Sequence, residues 1–184
     1  ELSKKTYSYQ PYVDSVRSGI TVNVYKNSAS YAAVRQYTDK YGNRVSDTLT
    51  EDGKTYTQTY TTDKLGNVLT VRDFNTNDKA LPASTVEYAY DYANRLYKTT
   101  VPDGYTQTNF DSYGRVASER DANGSLTTYT YNEAGMATQV SKPLDASLTS
   151  VTRRVYDKIG NIAREEVKSN KAGEAERWDV TKYF

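Results

Sequence analysis

Short stretches in which apolar or aromatic residues alternate with polar ones recur along the chain. One of them is Ile20-Thr21-Val22-Asn23-Val24-Tyr25. A period of two is typical of β-strands with one face packed and one face wet. Clusters of Asp, Asn and Gly separate these stretches, and such residues favour turns. The pattern therefore predicts an all-β fold, an antiparallel meander of β-hairpins. The segment 29–35 is the one candidate for a short helical turn.

One turn motif repeats in register with these strands. It consists of Asp, two variable residues, Gly, and then Asn or Arg. Asp can accept backbone N–H groups two residues on, and Gly supplies the positive φ that a type I turn with a G1 bulge needs. Asn, which stands in place of Gly at position 94, tolerates that conformation better than most other residues. The motif residues, with two partial copies included, are Asp39, Gly42, Asp63, Gly66, Asp91, Asn94, Asp111, Gly114, Asn132, Gly135, Asp157 and Gly160.

The turn type fixes which residues face each other across each hairpin. Asp91 should face Arg95 and Asp111 should face Arg115, with an aromatic–aliphatic pair one step further from the turn. Such cross-strand pairs stabilise a sheet by about 0.2–1 kcal/mol each. The expected pairs are Tyr90 with Leu96, Phe110 with Val116, Tyr131 with Ala137, Tyr156 with Ile162, and Thr62 with Val68.

The first copy of the motif departs from this arrangement. Thr38 would face Arg44 there, and the apolar residues Tyr37 and Val45 would lie one step further out. Because a shift of one residue moves every side chain to the opposite face, we expect a bulge or an altered turn in this copy that returns Tyr37 to the common face.

A second, looser set of turns lies between the motifs, so each repeat contains two strands and two turns. These turns are Glu51-Asp52-Gly53, Pro102-Asp103-Gly104, Asp121-Ala122-Asn123-Gly124 and Asn170-Lys171-Ala172-Gly173. Longer loops are expected at 73–84 and 141–150. The predicted organisation is an atypical β segment or cap at 1–36 and about six repeats at 37–184, the last one truncated at Trp178. A sheet of about ten strands curls or closes.

Composition narrows the classes of function. The 184 residues include 19 Tyr, no Cys and no His, and the net charge is +1. Tyr replaces aliphatic bulk and keeps a hydroxyl for water or a partner, which favours a thin sheet. Zinc sites of Cys and His, thiol nucleophiles and Ser-His triads are excluded. We therefore expect no enzyme activity, no cofactor, no nucleic-acid partner and no membrane span. Because the chain starts at Glu1, we interpret it as an excised or mature piece.

The repeats resemble YD repeats, also called Rhs repeats. The resemblance covers roughly 37–184 and rests on Tyr-Ala-Tyr-Asp at 88–91, Asn-Phe-Asp-Ser-Tyr-Gly-Arg-Val at 109–116, Tyr-Thr-Tyr-Asn-Glu-Ala-Gly at 129–135, and Val-Tyr-Asp-Lys-Ile-Gly-Asn-Ile at 155–162. Proteins with such repeats include bacterial Rhs and wall-associated polymorphic toxins, the C components of insecticidal toxin complexes, and teneurins.

The resemblance implies a β-sheet that spirals into a hollow shell, which in the bacterial toxins encloses a cytotoxic C-terminal domain. It also implies a large secreted or cell-surface bacterial protein. Complete shells end in a Pro…Asp-Pro-x-Gly segment that carries self-cleaving Asp residues. That segment is missing here, so no residue of this chain inherits the protease role. The implied partners are the rest of the repeat shell and its enclosed toxin domain.

Three sets of residues are candidates for binding or chemistry. Asp73, Asn75 and Asn77 match the first half of a Ca²⁺ loop, but the Gly and Glu that the loop also needs are absent, which favours a polar loop between strands. The motif carboxylates occupy one equivalent place in every turn, whereas glycoside hydrolysis needs two unlike carboxylate environments. Tyr41, Tyr92 and Tyr113 lie at the turn tips and are candidates for contact with carbohydrate.

Two functions of different classes remain open at this point. The first is structural, part of a β-shell that encloses or presents a toxin domain. The alternative is an adhesin module that binds carbohydrate or a protein on a cell surface. A polysaccharide-acting enzyme is a third, disfavoured reading. Edge strands of a short repeat section also predict edge-to-edge self-association.

Overall fold

The computed structural model describes residues 2–10, 17–26, 29–51, 53–75, 84–171 and 177–183. These residues form strands and turns, and they include no helix. The prediction of an all-β, antiparallel meander is confirmed. The expected helical turn at 29–35 is wrong, because these residues belong to a ten-residue strand. In the described part of the chain, no helix is long and apolar enough to cross a membrane.

The chain divides into two compact units. The first unit comprises residues 1–89 and 100–102. Each of its strands pairs antiparallel with the next one along the chain. The strands are β1 (Leu2–Gln10), β2 (Ser18–Lys26), β3 (Ala29–Thr38), β4 (Arg44–Glu51), β5 (Lys54–Thr62), β6 (Val68–Asn75) and β7 (Thr85–Tyr90).

The second unit comprises residues 90–99 and 103–184 and repeats the same meander. Its strands are β8 (Leu96–Val101), whose last two residues belong to the first unit, β9 (Gly104–Phe110), β10 (Val116–Arg120), β11 (Leu126–Tyr131), β12 (Ala137–Pro143), β13 (Leu148–Tyr156), β14 (Ile162–Lys171) and β15 (Asp179–Lys182). The loop expected at 141–150 is shorter than predicted, because β12 and β13 extend into it and leave 144–147 as the connection.

The sheet is a single layer without a conventional core. Among the described side chains, no hydrophobic one is buried, and Ser46 is the one buried polar side chain. Both faces of the strands are therefore open to contacts beyond this chain. Stability within the sheet comes from strand pairing and from side chains that bridge neighbouring strands.

Candidate functional site

The Asp-x-x-Gly turns join odd-numbered to even-numbered strands, so within each unit they lie along one edge of the sheet. The Asp111 turn shows their geometry. The backbone N–H of Gly114 donates to the carbonyl of Asp111 at 3.0 Å, and the N–H of Asp111 donates to the carbonyl of Arg115 at 2.8 Å. Gly114 has φ = +81°. This is the three-residue hairpin loop with a left-handed Gly that the sequence predicts.

The Asp carboxylate holds each turn closed from inside. One oxygen of Asp111 accepts the backbone N–H groups of Tyr113 and Arg115, both at 2.9 Å, and the other accepts Nε of Arg115 at 2.7 Å. At Asp91, the backbone N–H of Arg95, followed by its guanidinium, lowers the pKa of the carboxyl. At Asp63, the side-chain amide of Asn67 is the largest cause of a lowered pKa. Carboxylates engaged in this way are structural elements of the turns.

Copies that lack the standard residues keep the turn. Asn94 has φ = +62°, so Asn takes the left-handed place of Gly. Asn132 replaces the Asp, and its side-chain oxygen accepts the backbone N–H of Met136 at 2.9 Å. The Asp121 turn at the opposite edge, which the sequence reading placed in the looser set, belongs to the same type. Its carboxylate accepts the N–H groups of Asn123 and Ser125 at 3.0 and 2.9 Å.

A β-bulge follows the turn in each motif hairpin whose register is resolved. Phe110 pairs with Val116 as expected, but Asn109 pairs with Ser118 and leaves Ala117 as the extra residue. The expected pairs Tyr131–Ala137, Tyr156–Ile162 and Thr62–Val68 are present beside equivalent bulges.

The expectation for the first copy is wrong, because Tyr37 pairs with Ser46 and Val45 is the extra residue. Its bulge is the common one, so Thr38 occupies the place of the aromatic residue and Tyr37 lies on the opposite face.

Tyrosine hydroxyls connect two turns of the second unit to the hairpin that precedes each of them. The hydroxyl of Tyr131 donates to the carbonyl of Val116, and that of Tyr156 donates to the carbonyl of Ala137, both at 2.7 Å. Both acceptors lie beside a bulge, where the ladder of backbone bonds is interrupted. The Tyr that precedes the first turn residue, Asn132 or Asp157, therefore supplies a hydrogen bond from one repeat to the preceding one.

Arginine side chains connect the turns in the other direction. Nη1 of Arg95 donates to the carbonyl of Gly114 at 3.0 Å, and Nη1 of Arg115 donates to the carbonyl of Asn132 at 3.2 Å. The guanidinium of Arg95 lies 3.8 Å from the ring centroid of Phe110, and that of Arg115 lies 4.5 Å from that of Tyr131. Each Arg thus closes its own turn and stacks on the aromatic residue of the next.

The turn tips expose large apolar side chains. The exposed fraction is 75% for Tyr41, 98% for Tyr92 and 82% for Tyr113, so all three candidates for surface contact face solvent. Leu65 and Ile159 lie two residues after the motif Asp, as Tyr41 and Tyr113 do, whereas Tyr92 lies one residue after Asp91. The exposed fractions of Leu65 and Ile159 are 75% and 84%. The tip row is therefore apolar rather than specifically aromatic. The sequence reading missed the two aliphatic members because it searched for aromatic residues.

A cleft of about 660 Å³ opens between two turns of the first unit. Tyr41 and Leu65 stand at its sides, and Asn43 and Lys64 contribute polar groups. Nζ of Lys40 lies 4.9 Å from the ring centroid of Tyr41. In the second unit, the guanidinium of Arg115 lies at the same distance from the ring of Tyr113. Tyr41 and Tyr113 therefore each have a cation against the ring.

The candidate Ca²⁺ loop is described only at its base. The backbone N–H of Asp73 donates to the carbonyl of Ser84 at 2.9 Å, and Oγ of Ser84 donates to the Asp73 carboxylate at 3.2 Å. Asn77 and the side chain of Asn75 lie outside the described residues. Within the described ranges, no group of three or more acidic residues is arranged to hold a metal ion.

Comparison with known proteins supports the repeat assignment. The sequence profile of the RHS Repeat family matches residues 110–147. These residues contain the Asp111, Asp121 and Asn132 turns, so the predicted resemblance to YD or Rhs repeats is confirmed there. Among the curated proteins compared, none matches this chain.

Solved structures that match this chain include two titled as crystal structures of TcdB2-TccC3. The one without the hypervariable C-terminal region is 15% identical with a TM-score of 0.49, and the match covers 82% of this chain and 10% of that chain. A form titled TcdB2-TccC3-TEV is 15% identical with a TM-score of 0.35, covering 91% of this chain and 11% of that chain. This chain therefore spans about a tenth of the length of these two chains. A porin-like protein from Bacteroides uniformis is 12% identical with a TM-score of 0.35, covering 97% of this chain and 93% of that chain.

Proposed function

We propose that this chain is a wall segment of a larger repeat-built bacterial toxin protein, secreted or held at the cell surface, and that the complete wall encloses or presents a toxin domain. The single-layer sheet is the observation that carries the proposal. A layer with two open faces suits a wall between an interior and an exterior. The Rhs match at 110–147 adds the family in which such walls occur.

The repeats act by containment, with no chemistry of their own. The motif carboxylates are engaged by turn N–H groups and by the following Arg or Asn, which leaves them poor candidates for acid–base catalysis. The links from turn to turn hold neighbouring hairpins at fixed spacing. The partners of this segment are then the adjoining repeats and the enclosed domain.

Limited proteolysis of the full-length protein that carries this chain tests the proposal. We expect the domain that follows the repeats to resist cleavage, and to become sensitive when the Asp111 and Asp157 turns are both disrupted by Asp→Pro substitutions. Matched Asp→Pro changes in an unstructured linker of the same protein serve as control. Equal sensitivity before and after disruption of the turns would refute enclosure.

A carbohydrate-binding adhesin is the second candidate, and the cleft beside Tyr41 is the observation that favours it. A triple variant with Ala at Tyr41, Tyr92 and Tyr113 should lose binding on a glycan array, whereas Ala at Leu65 and Ile159 should not. Retained binding in the Tyr variant, or no binding by the parent chain, would exclude this function.

A further inference from the structure

Charged strand residues of the second unit are sorted between the two faces of the sheet. Cross-strand partners lie on the same face, and successive residues of a strand alternate between faces. According to the pairing registers, one face of the sheet carries the side chains of Gln107, Ser118, Thr128, Gln139 and Val151. The charged residues described on that side, with Lys98 assigned by its contact with Tyr105, are Lys98, Arg120, Arg153, Arg164, Glu166, Lys168 and Lys182.

This side, called here the basic face, carries six cations and one carboxylate among the described residues. The opposite face has a mixed set with a slight acidic excess. Its described charged strand residues are Glu119, Lys142, Arg154, Glu165 and Asp179. A chain with a net charge of only +1 therefore presents a strongly positive surface on one side of this unit.

Like charges are placed directly opposite each other at one point of the basic face. Arg164 pairs with Lys182 across β14 and β15, an arrangement that destabilises a sheet. Glu166 lies 3.5 Å from Arg164 and pairs with Arg153, so a single carboxylate is shared among several cations. Anionic groups bound at this surface would offset the repulsion.

Aromatic rings hold several of these cations in place. The ring of Tyr105 has Nζ of Lys98 at 4.4 Å and the guanidinium of Arg120 at 4.2 Å, one from each flanking strand. The ring of Trp178 has the guanidinium of Arg153 at 4.2 Å and Nζ of Lys168 at 5.8 Å. Such contacts reduce the freedom of the cations and prepare them to bind anions. They also occupy the rings, which are then less open to stacking by a base or a sugar.

The rest of the basic face suits a polypeptide. Gln107 donates to Asn109 at 2.8 Å, and Asn109 donates to Ser118 at 3.0 Å, so amides and hydroxyls form part of its floor. Leu126 and Val155 are exposed on the same side. Exposed aliphatic groups between cations match a peptide with mixed acidic and apolar side chains, and they add little to the binding of a nucleic acid or a sulfated glycan.

We propose that the basic face binds an extended, carboxylate-rich polypeptide segment, whose acidic side chains bind Arg120, Arg153, Arg164 and Lys182. The inference rests on the proposed function in so far as the enclosed or presented domain would supply this segment. From β9 to β15 there are six strand spacings of about 4.8 Å, or about 29 Å. An extended peptide of about nine residues covers that distance.

Titration of the purified chain with a fluorescent oligoglutamate of about ten residues tests the proposal. Replacement of Arg153 and Arg164 by Gln should weaken binding about tenfold, which corresponds to about 1.4 kcal/mol. Replacement of Arg154 and Lys142 by Gln removes the same charge from the opposite face and should change affinity less than about twofold. Equal losses in the two double variants would overturn the proposal, because net charge alone would then explain binding.

A further variant, in which the affinity should increase, distinguishes the loss of binding contacts from misfolding. Glu166→Gln should strengthen binding of the oligoglutamate, since it removes the described carboxylate of the basic face. Tighter binding of a DNA oligonucleotide or of heparin than of oligoglutamate would assign the face to another class of polyanion and overturn the proposal, as would failure to bind oligoglutamate. The binding results do not depend on the proteolysis experiment, so the enclosure proposal and the peptide-binding proposal can each be refuted without the other.

Discussion

The hydrogen bond from Tyr131 to the preceding hairpin can be removed without changing the shape of the ring. In Tyr131→Phe, the ring keeps its contact with Arg115 but the carbonyl of Val116 loses its donor at 2.7 Å. A net contribution of about 1 kcal/mol is expected for a half-exposed bond of this kind. With a urea m-value of about 2 kcal/mol/M, the unfolding midpoint should fall by about 0.5 M.

The reverse substitution can be made in another repeat of the same chain. Phe110 occupies the equivalent place one repeat earlier and lacks the hydroxyl. Phe110→Tyr should therefore raise the midpoint, provided that the carbonyl of Leu96 is placed like that of Val116. Urea unfolding should be followed by circular dichroism and by fluorescence, whose transitions must coincide for the free energies to be compared. An unchanged midpoint in Tyr131→Phe and in Tyr156→Phe would refute the stabilising role of these hydroxyls.

Three further predictions concern the turns and the sheet edges. The pKa of Asp91 is lowered on folding, mainly by the backbone N–H of Arg95. The stability that ionised Asp91 contributes is therefore complete above the ordinary pKa of 3.8 and is lost as the pH falls through the folded pKa. Urea midpoints of the parent should fall on acidification more than those of Asp91→Asn, and parallel curves of midpoint against pH would contradict this. Gly135→Ala should cost about 1 kcal/mol through its positive φ. Gly114→Ala should cost more, because its Cβ would lie 2.9 Å from Nη1 of Arg95 and the Arg side chain would have to move away from its bond to the Gly114 carbonyl; equal midpoints for the two variants would count against a stabilising role of that bond. The isolated chain should form dimers through β1 or β15 at high concentration, and light scattering that stays monomeric over a wide range would disprove this.

The sequence predicts the turns well because their geometry depends on a few adjacent residues. Asp and Gly at fixed spacing were sufficient to infer the loop, the left-handed residue and the Phe110–Val116 pair. The sequence predicts the wrong face for Tyr37, because the bulge after the turn depends on backbone pairing across two strands and leaves no signature in the residues of one copy. The Asp121 turn was grouped with the looser turns, although its own Asp and Gly already had the motif spacing.

The contacts between repeats could not be predicted from the sequence. Arg95 bonds to the carbonyl of Gly114, the fourth residue of the next turn, whereas Arg115 bonds to the carbonyl of Asn132, the first residue of the turn that follows it. Equivalent arginines therefore choose different acceptors, which the repeat pattern does not specify. The sorting of charge between faces depends on the bulges as well, since each one changes the alternation along its strand. Arg153 and Arg154 are neighbours in sequence yet lie on opposite faces.

The equivalence of successive turns means that a whole repeat can be removed without leaving unmatched ends. Excision of residues 111–131 would join Phe110 to Asn132, so that β9 would form a hairpin with β12. Arg95 now bonds to the carbonyl of Gly114, and Arg115 bonds to that of Asn132. After the excision, Arg95 would meet the Asn132 turn in place of the lost one. Unequal recombination between repeats can therefore lengthen or shorten such a chain in steps of one hairpin while each junction keeps a turn of the same type.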